Sequence, residues 1–147
     1  MNDLSDDDYQ RLLQVRTGLR RFERWSQQKA AEAGLTPAQH QLLLAVRGHA
    51  GEDGPTITDV ADYLQIQHHS VVGLVDRAVD AGLCKRGTDP SDARVVRLSL
   101  TPAGRRRLRS LARAHYEELS RLGPQLQRLW DGLSGAPVRV DEMDPVE

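Results

Sequence analysis

The segment D-P-S-D-A-R-V-V-R-L-S-L at residues 89–100 constrains the fold of this chain more than any other stretch. Pro90 fixes its own φ angle, and the two aspartates can accept hydrogen bonds from nearby backbone amides, so Asp-Pro-Ser-Asp predicts a turn. The alternating, β-branched residues 95–100 predict a strand after the turn, and residues 83–88 predict its partner. We therefore expect a β-hairpin whose charged tip carries Arg94. A basic hairpin between helices suits a nucleic-acid-binding protein better than an enzyme.

Two helices are predicted at the N-terminus. Apolar residues at helical spacing predict the first: Leu12, Val15, Leu19 and Phe22. It should run from about Asp6 to Ala33, and this length of about 28 residues is more typical of a helix that also packs on another chain. The second should begin with a capping box, in which Thr36 is the N-cap, Pro37 the first helical residue and Gln39 the third.

Residues 57–82 predict a helix-turn-helix motif. Ile57 is expected to be extended and Thr58 to cap the third helix. After a short turn, the fourth helix should run from about His68 to Ala81 and end at a glycine. Any amphipathic pair of helices in an α-rich protein shows the same spacing, and the hairpin that follows is what favours a DNA-binding interpretation.

The fourth helix has the two faces that a recognition helix needs. One face is apolar, with Val71, Val75 and Ala78 directed to the core. The other presents small and hydrogen-bonding groups that can meet bases or phosphates, while a valine can touch a thymine methyl group. The residues expected to contact DNA from this motif are Gln67, His68, His69, Ser70, Val72, Gly73 and Arg77.

A fifth helix is predicted after the hairpin, with Thr101 as its N-cap and Pro102 in the first helical position. Gly123-Pro124 predicts that this helix breaks or bends, because proline lacks the amide hydrogen that a helix interior uses. A short sixth helix is then expected over residues 126–133.

The charge of the chain is unevenly distributed. Its formal net charge is −1, but residues 67–113 contain ten basic and four acidic residues. The first ten residues contain four aspartates and no base, and the last twelve contain four acids against one arginine. A basic middle between acidic ends can reach phosphate groups while the whole chain stays near neutral.

Two segments resemble the MarR family of bacterial winged helix-turn-helix repressors. They are L-Q-I-Q-H-H-S-V-V-G-L-V-D-R-A-V-D-A-G-L at 64–83 and D-P-S-D-A-R-V-V-R-L-S-L-T-P-A-G at 89–104, and L-T-P-A-Q-H-Q-L-L-L at 35–44 is similar to the family's second helix. The similarity extends in order over about residues 10–133. It implies a homodimer in which the first, fifth and sixth helices of two copies interlock, leaving two winged domains for successive major grooves of double-stranded DNA.

The resemblance also implies roles for individual residues. Residues 68–77 would lie in the major groove, Asp92 would brace the wing and Arg94 would enter the minor groove. A narrow minor groove has a strong negative potential that attracts a guanidinium group, whereas the alternative for Arg94 is a solvated turn charge. Gly73 departs from the family pattern, because many members have a polar residue there. Further candidate phosphate contacts lie on the hairpin strands: Lys85, Arg86 and Arg97.

Members of the family commonly release DNA when a small molecule, often an aromatic acid, enters a cleft between the dimerisation and DNA-binding parts. The resemblance implies a small aromatic effector here and no other cofactor. The candidate effector-binding residues are Trp25, His40, Leu44 and His115. The alternative is that these side chains belong to the core.

Other chemistry has little support. Cys84 is the only cysteine and cannot form an intramolecular disulfide. Lys85 and Arg86 beside it would lower the pKa of its thiol, whereas burial would make it inert. His68 and His69 are adjacent and cannot readily share one ion, so no metal site is expected. The sequence has neither a phosphate-binding glycine loop nor a catalytic motif, so no enzyme activity is expected.

The predicted fold is mainly α with a small β-wing (α+β). No apolar run is long enough to cross a bilayer, and the acidic N-terminus is unlike a signal peptide, so a cytoplasmic location is expected. The predicted parts are an N-terminal dimerisation helix at 1–34, a winged helix-turn-helix domain at 35–100, C-terminal dimerisation helices at 101–134 and a flexible acidic tail at 135–147.

The predicted function is sequence-specific regulation of transcription by a ligand-responsive, homodimeric repressor. Two symmetric recognition helices imply a pseudo-palindromic operator with half-sites about 10 base pairs apart. Two alternatives stay open: a protein–protein adaptor that has lost DNA binding, and a dimer that binds or converts a small molecule.

Overall fold

The computed structural model describes residues 3–133, which form five helices and one two-stranded antiparallel sheet. The predicted, mainly α fold with a β-wing is confirmed. The predicted tail at 135–147 lies outside the described residues. In chain order the elements are α1 (Asp6–Glu32), α2 (Pro37–Gly48), α3 (Ile57–Leu64), α4 (His68–Asp80), β1 (Cys84–Thr88), β2 (Val96–Leu100) and α5 (Pro102–Leu133).

The starts of α2 and α3 follow the same local rule. In α2, the Thr36 hydroxyl accepts a hydrogen bond from the Gln39 amide and the Gln39 side chain accepts one from the Thr36 amide, as predicted. The predicted start of α3 at Thr58 is wrong, because Thr56 is the N-cap and Ile57 is helical. Thr56 has Asp59 three residues later and completes a reciprocal capping box, whereas Thr58 has an alanine at that distance.

The predicted break in α5 is also wrong. The helix continues through Pro124 to Leu133, so the described residues contain no separate sixth helix. A proline inside a helix removes one backbone hydrogen bond and costs about 3 kcal/mol. The apolar face nevertheless continues past it, and Leu122, Leu126 and Leu129 line a groove together with residues of α1. The helix therefore bears the local cost of the proline without ending there.

The chain divides into two compact units. The central unit comprises residues 25–115 and contains α2, α3, α4 and the sheet. The terminal unit contains the beginning of α1 and the end of α5, and its described parts are residues 3–24 and 116–133. The domain limits expected from the sequence stay a prediction.

The core of the central unit holds the helix-turn-helix against the wing. Cys84 of β1 pairs with Leu100 of β2, and Thr88 pairs with Val96 at the other end of the sheet. The Thr101 hydroxyl donates to the Gly82 carbonyl, which fixes the start of α5 on the connection between α4 and β1. The largest fully buried hydrophobic side chains are Leu42, Leu43, Val60, Val71, Val75, Leu83 and Leu98, with Pro55.

Candidate nucleic-acid interface

The α4 helix is anchored on one side and open on the other. Val71, Leu74, Val75 and Ala78 are at most 3% exposed, in contact with α2, α3 and β1. Burial of several apolar side chains, each worth about 1.5–3 kcal/mol, holds this side in place. The opposite side presents residues that sequence reasoning placed at the DNA, and six of them are exposed: Gln67, His68, His69, Ser70, Val72 and Arg77.

The missing side chain at Gly73 leaves space that Arg77 uses. Arg77 is exposed, and a Cβ atom built on Gly73 would lie 3.4 Å from one of the Arg77 guanidinium nitrogens. Long helical side chains lean toward the N-terminus of their helix, which brings Arg77 over the preceding turn. The guanidinium group of Arg77 therefore lies over Gly73 and supplies a polar group where the glycine has none.

The N-terminus of α4 is open to solvent. Gln67 is its N-cap residue, and the Gln67 side chain makes no capping hydrogen bond. The preceding turn is set by Gln65, whose φ of 53° lies in the left-handed region and whose amide donates to the Ala61 and Asp62 carbonyls. Amide groups at a helix N-terminus attract anions, so this end of α4 suits a phosphate.

The wing contains an inner ion pair between Asp89 and Arg97. The Nε and Nη2 atoms of Arg97 donate to one Asp89 carboxylate oxygen at 3.2 and 3.1 Å. The Nη1 atom donates to the Gly54 carbonyl at 3.2 Å. The Asp89 side chain is 9% exposed, and the Ser91 amide, followed by Arg97, holds its pKa below the ordinary value. Arg97 is thus engaged inside the protein, although the sequence offered it as a phosphate contact.

A second ion pair lies at the tip of the wing. The Asp92 carboxylate accepts hydrogen bonds from the Arg94 amide at 3.0 Å and from Nε and Nη2 of the guanidinium at 3.1 and 3.2 Å. These bonds hold the pKa of Asp92 below its ordinary value, and the side chain of Arg94 has the largest effect. The Arg94 side chain is 90% exposed. Asp92 therefore orients a guanidinium that remains accessible from solvent.

The two basic residues of β1 differ in their partners. Arg86 forms a close ion pair with Asp76 of α4, which joins the wing to the recognition helix. Sequence reasoning missed this role of Asp76, because ten residues separate the partners and no local pattern relates them. Lys85 lies opposite Ser99 in the sheet and is exposed.

Three of the four candidate effector-binding residues lie together. The ring centroids of Trp25 and His115 are 4.8 Å apart, and those of His40 and His115 are 4.7 Å apart. His40 is 4% exposed, and its burial, followed by the nearby His115, lowers its pKa. Leu44, one turn after His40, is 47% exposed.

Sequence reasoning did not find Ser26, which also belongs to this cluster. Its hydroxyl lies 2.6 Å from Nε2 of His115, while Nδ1 of His115 lies 2.8 Å from the Leu111 carbonyl. Because a carbonyl only accepts, Nδ1 carries the hydrogen, and Nε2 of the neutral ring accepts from the serine hydroxyl. Ser26 thereby fixes the orientation of His115.

Cys84 is buried, and its burial raises the pKa of the thiol to about 11. The lowered pKa that the sequence suggested is wrong. Successive side chains of a strand point to opposite faces, so Cys84 faces the core while Lys85 is exposed to solvent. A buried neutral thiol has little reactivity, which favours the inert alternative.

The part of the chain that the structure describes contains neither a candidate metal site nor a candidate membrane span. No three His, Cys, Asp or Glu side chains there lie close enough together to hold a metal ion. No helix in residues 3–133 has the length and apolar character needed to cross a membrane.

Comparison with known proteins places these features in a family. A model of the MarR family matches residues 33–95. No curated protein sequence is significantly similar to the chain. Among solved structures, the transcriptional repressor CouR bound to a 23-mer DNA duplex is 27% identical, with a TM-score of 0.66 over 91% of this chain and 98% of that chain.

Two other solved structures share the fold. CouR from Rhodococcus jostii RHA1, bound to p-coumaroyl-CoA, is 24% identical with a TM-score of 0.68, and the alignment covers 100% of both chains. MepR, a transcription regulator of the Staphylococcus aureus multidrug efflux pump MepA, is 20% identical with a TM-score of 0.68 over 82% of this chain and 91% of that chain. Residues 33–95 thus match the MarR family, and the chain has the winged helix-turn-helix fold of solved MarR family transcription regulators.

Proposed function

We propose that this protein is a homodimeric, ligand-responsive repressor that binds a pseudo-palindromic operator. The observation that supports this most is the arrangement of α4 beside the wing. The exposed face of α4 lies beside the wing, and an ion pair between Asp76 and Arg86 connects α4 to β1. The buried core that α4 shares with both strands gives the helix and the hairpin a fixed relation, which simultaneous contact with two neighbouring grooves requires.

The exposed face of α4 is proposed to read the major groove. Ser70, His68 and His69 are the hydrogen-bonding groups nearest the N-terminus of the helix, and Val72 is 37% exposed and can touch a thymine methyl group. Arg77 covers the surface at Gly73 and is proposed to bind the phosphate backbone.

The wing is proposed to act through Arg94 in the minor groove and Lys85 on phosphate. The exposed ion pair with Asp92 is worth little in water, so Arg94 can exchange the carboxylate for the strong negative potential of a narrow groove. Arg97 is proposed to brace the wing, because its three guanidinium nitrogens donate to Asp89 and to the Gly54 carbonyl.

A second copy of the chain is proposed to cover the terminal unit. Eight large apolar side chains of this unit are at least 46% exposed: Leu4, Tyr9, Leu12, Leu13, Leu19, Tyr116, Leu119 and Trp130. Exposed apolar surface of this extent is typical of a binding interface. A self-association through this unit would leave the wing and α4 of each copy for DNA, and two-fold symmetry of the protein would match a pseudo-palindromic site.

The effector is proposed to be a small aromatic acid or its thioester, acting near Trp25, His40 and His115, with Leu44 at the edge. CouR, which has the same fold, binds p-coumaroyl-CoA. Entry of such a ligand would require the contacts among the three rings to change. These rings belong to α1, α2 and α5, so a change there can reach the scaffold of the DNA-binding motif.

The experiment that tests this function is affinity selection of genomic fragments by the purified protein. We expect enrichment of a sequence with two-fold symmetry and a dimer by sedimentation. Addition of aromatic acids and their thioesters to the bound complex then tests release. A dimer that binds a ligand without affinity for any fragment would favour the small-molecule alternative, and a protein that binds neither would favour the adaptor.

A further inference from the structure

The central unit contains a cleft between α2, α5, β2 and the loop at residues 51–54. Its volume is about 730 Å³, within the range of sites that hold small organic molecules. Val46, Leu98, Leu100 and Leu108 contribute apolar surface, and each is at most 8% exposed in the folded chain. These residues differ from the aromatic cluster around His115, so this cleft is a separate candidate site.

Three arginines line this cleft, which we call the arginine cleft. Arg47 comes from the last turn of α2, and Arg105 and Arg109 lie one turn apart on the same face of α5. Within residues 3–133, none of the three guanidinium groups forms an ion pair or a side-chain hydrogen bond. The three arginines outnumber the acidic residues of the lining, and this excess of positive charge on a concave surface favours the binding of an anion.

The chemistry of the lining favours an organic phosphate. Guanidinium groups match phosphate oxygens with paired hydrogen bonds, and a phosphate monoester offers three terminal oxygens and nearly two negative charges at neutral pH. The apolar surface suits an apolar body attached to that phosphate. Glu52 and Asp53 also line the cleft and would repel an anion, so the phosphate is expected on the side of the arginines.

The wall of the arginine cleft is also the support of the wing. A Cβ atom built on Gly54 would lie 1.8 Å from the Leu98 carbonyl oxygen, so the loop and β2 are in direct backbone contact. The Leu98 amide donates to the Pro55 carbonyl at 2.9 Å. The Gly54 carbonyl accepts the hydrogen bond from Arg97, which in turn holds Asp89. A ligand that displaces this loop therefore acts on the inner ion pair of the wing.

We propose that the arginine cleft binds an organic phosphate and that its occupation changes the position of the wing. The binding stands independently of the proposed function, whereas its effect on DNA rests on that function. Contact with Arg47, Arg105 and Arg109 fixes the phosphate, and the apolar body lies along the wall of the cleft, where Ala112 is exposed. The loop at 51–54 then transmits the presence of the ligand to Arg97.

The test uses three probes that share a phenyl ring and differ in charge: phenyl phosphate, benzoate and phenol. Isothermal titration of the full chain at constant ionic strength, without DNA, measures each dissociation constant. We expect phenyl phosphate to bind about tenfold more tightly than benzoate, because it can engage more guanidinium groups, and phenol to bind most weakly. No heat with phenyl phosphate up to its solubility limit, or an affinity for phenyl phosphate that Arg109→Gln leaves unchanged, would overturn the proposal.

Substitutions locate the binding. Arg109→Gln and Arg47→Gln, on two different helices, should each weaken phenyl phosphate binding about tenfold. The matched control is Arg106→Gln, because Arg106 is an exposed arginine on the same helix that does not line the cleft. An equal loss in the control would show a general effect of surface charge and would refute a site at the arginines.

The coupling to the wing is measured separately, by fluorescence anisotropy with a selected operator. Phenyl phosphate should change the DNA affinity of the wild type and of Arg106→Gln, but not that of Arg109→Gln. Binding of phenyl phosphate without any change in DNA affinity would refute the coupling. If the protein without ligand fails to bind DNA, it is the proposed function that fails, and the titration still decides whether the cleft binds phosphate.

Discussion

The wing contains two aspartate–arginine pairs of the same chemistry in different surroundings. In the inner pair, the side chains of Asp89 and Arg97 are 9% and 29% exposed, and Arg97 also binds the Gly54 carbonyl. In the tip pair, the side chain of Arg94 is 90% exposed and forms hydrogen bonds with Asp92. The inner pair therefore holds the wing on the protein, whereas the tip pair leaves the Arg94 guanidinium exposed to solvent.

The largest expected effect on operator affinity comes from Arg94→Ala, which removes the exposed arginine of the tip pair. Loss of the groove contact should lower the affinity for a selected operator by about tenfold to a hundredfold and leave the melting temperature unchanged. Anisotropy and calorimetry measure the two quantities. Arg106→Ala is the matched control, because it removes another exposed arginine of the central unit, on α5. Unchanged operator affinity in Arg94→Ala would remove this residue from the interface.

For Arg97→Ala, the main expected effect is a loss of folding stability. This substitution removes the hydrogen bonds to Asp89 and Gly54, so the melting temperature should fall by about 5 °C, and operator affinity should fall as a consequence of a loosened wing. Thermal unfolding of the variant checks this. A normal melting temperature together with lost affinity would mean that Arg97 contacts phosphate directly, as the sequence suggested.

The same distinction between engaged and available cations applies to β1. Lys85→Gln should lower the slope of log affinity against log salt concentration by about one unit, the effect of losing one phosphate contact. Arg86→Gln should change that slope less, because Arg86 is paired with Asp76. Titrations at several salt concentrations measure both slopes. Equal changes in the two variants would show that the ion pair with Asp76 opens on DNA.

The smallest effect is expected from pH. The pKa of Asp89 and that of Asp92 lie below 3.8, so their contribution to folding stability is complete above that value and is lost as pH falls through the lowered pKa values. The contribution of these two aspartates to the free energy of unfolding should thus be constant between about pH 5 and 8 and decline below about pH 4. Melting temperatures across this range test the prediction, and Arg97→Ala should show a shallower acid decline.

Local sequence rules predicted most of the elements and failed in two places. The capping box at Thr36 and Gln39 was predicted because its bonds join residues three apart. The start of α3 was misplaced by preferring Thr58 over Thr56, although Asp59 completes the box only with the latter. The break at Pro124 was predicted from a local cost, but α5 continues through this proline to Leu133.

The candidate site likewise contains features that local sequence rules predict and features that they do not. Exposed residues on α4 and the tip of the wing follow from helical periodicity and turn chemistry, so Ser70 and Arg94 could be predicted. The engaged role of Arg97 could not, because its partner Gly54 lies 43 residues away. The position of Arg77 over Gly73 depends on a rotamer, which no spacing rule specifies.

The sequence by itself determined the order of the elements, the two faces of α4 and the charged turn at 89–92, because these depend on interactions between residues a few positions apart. Only the tertiary structure decided which arginines are used internally and which are accessible. The fold joins Arg97 to Gly54, joins Arg86 to Asp76, and leaves Arg94 at the solvent. The physical reason is that the availability of a charge depends on its neighbours in space, and the fold supplies those from distant parts of the chain.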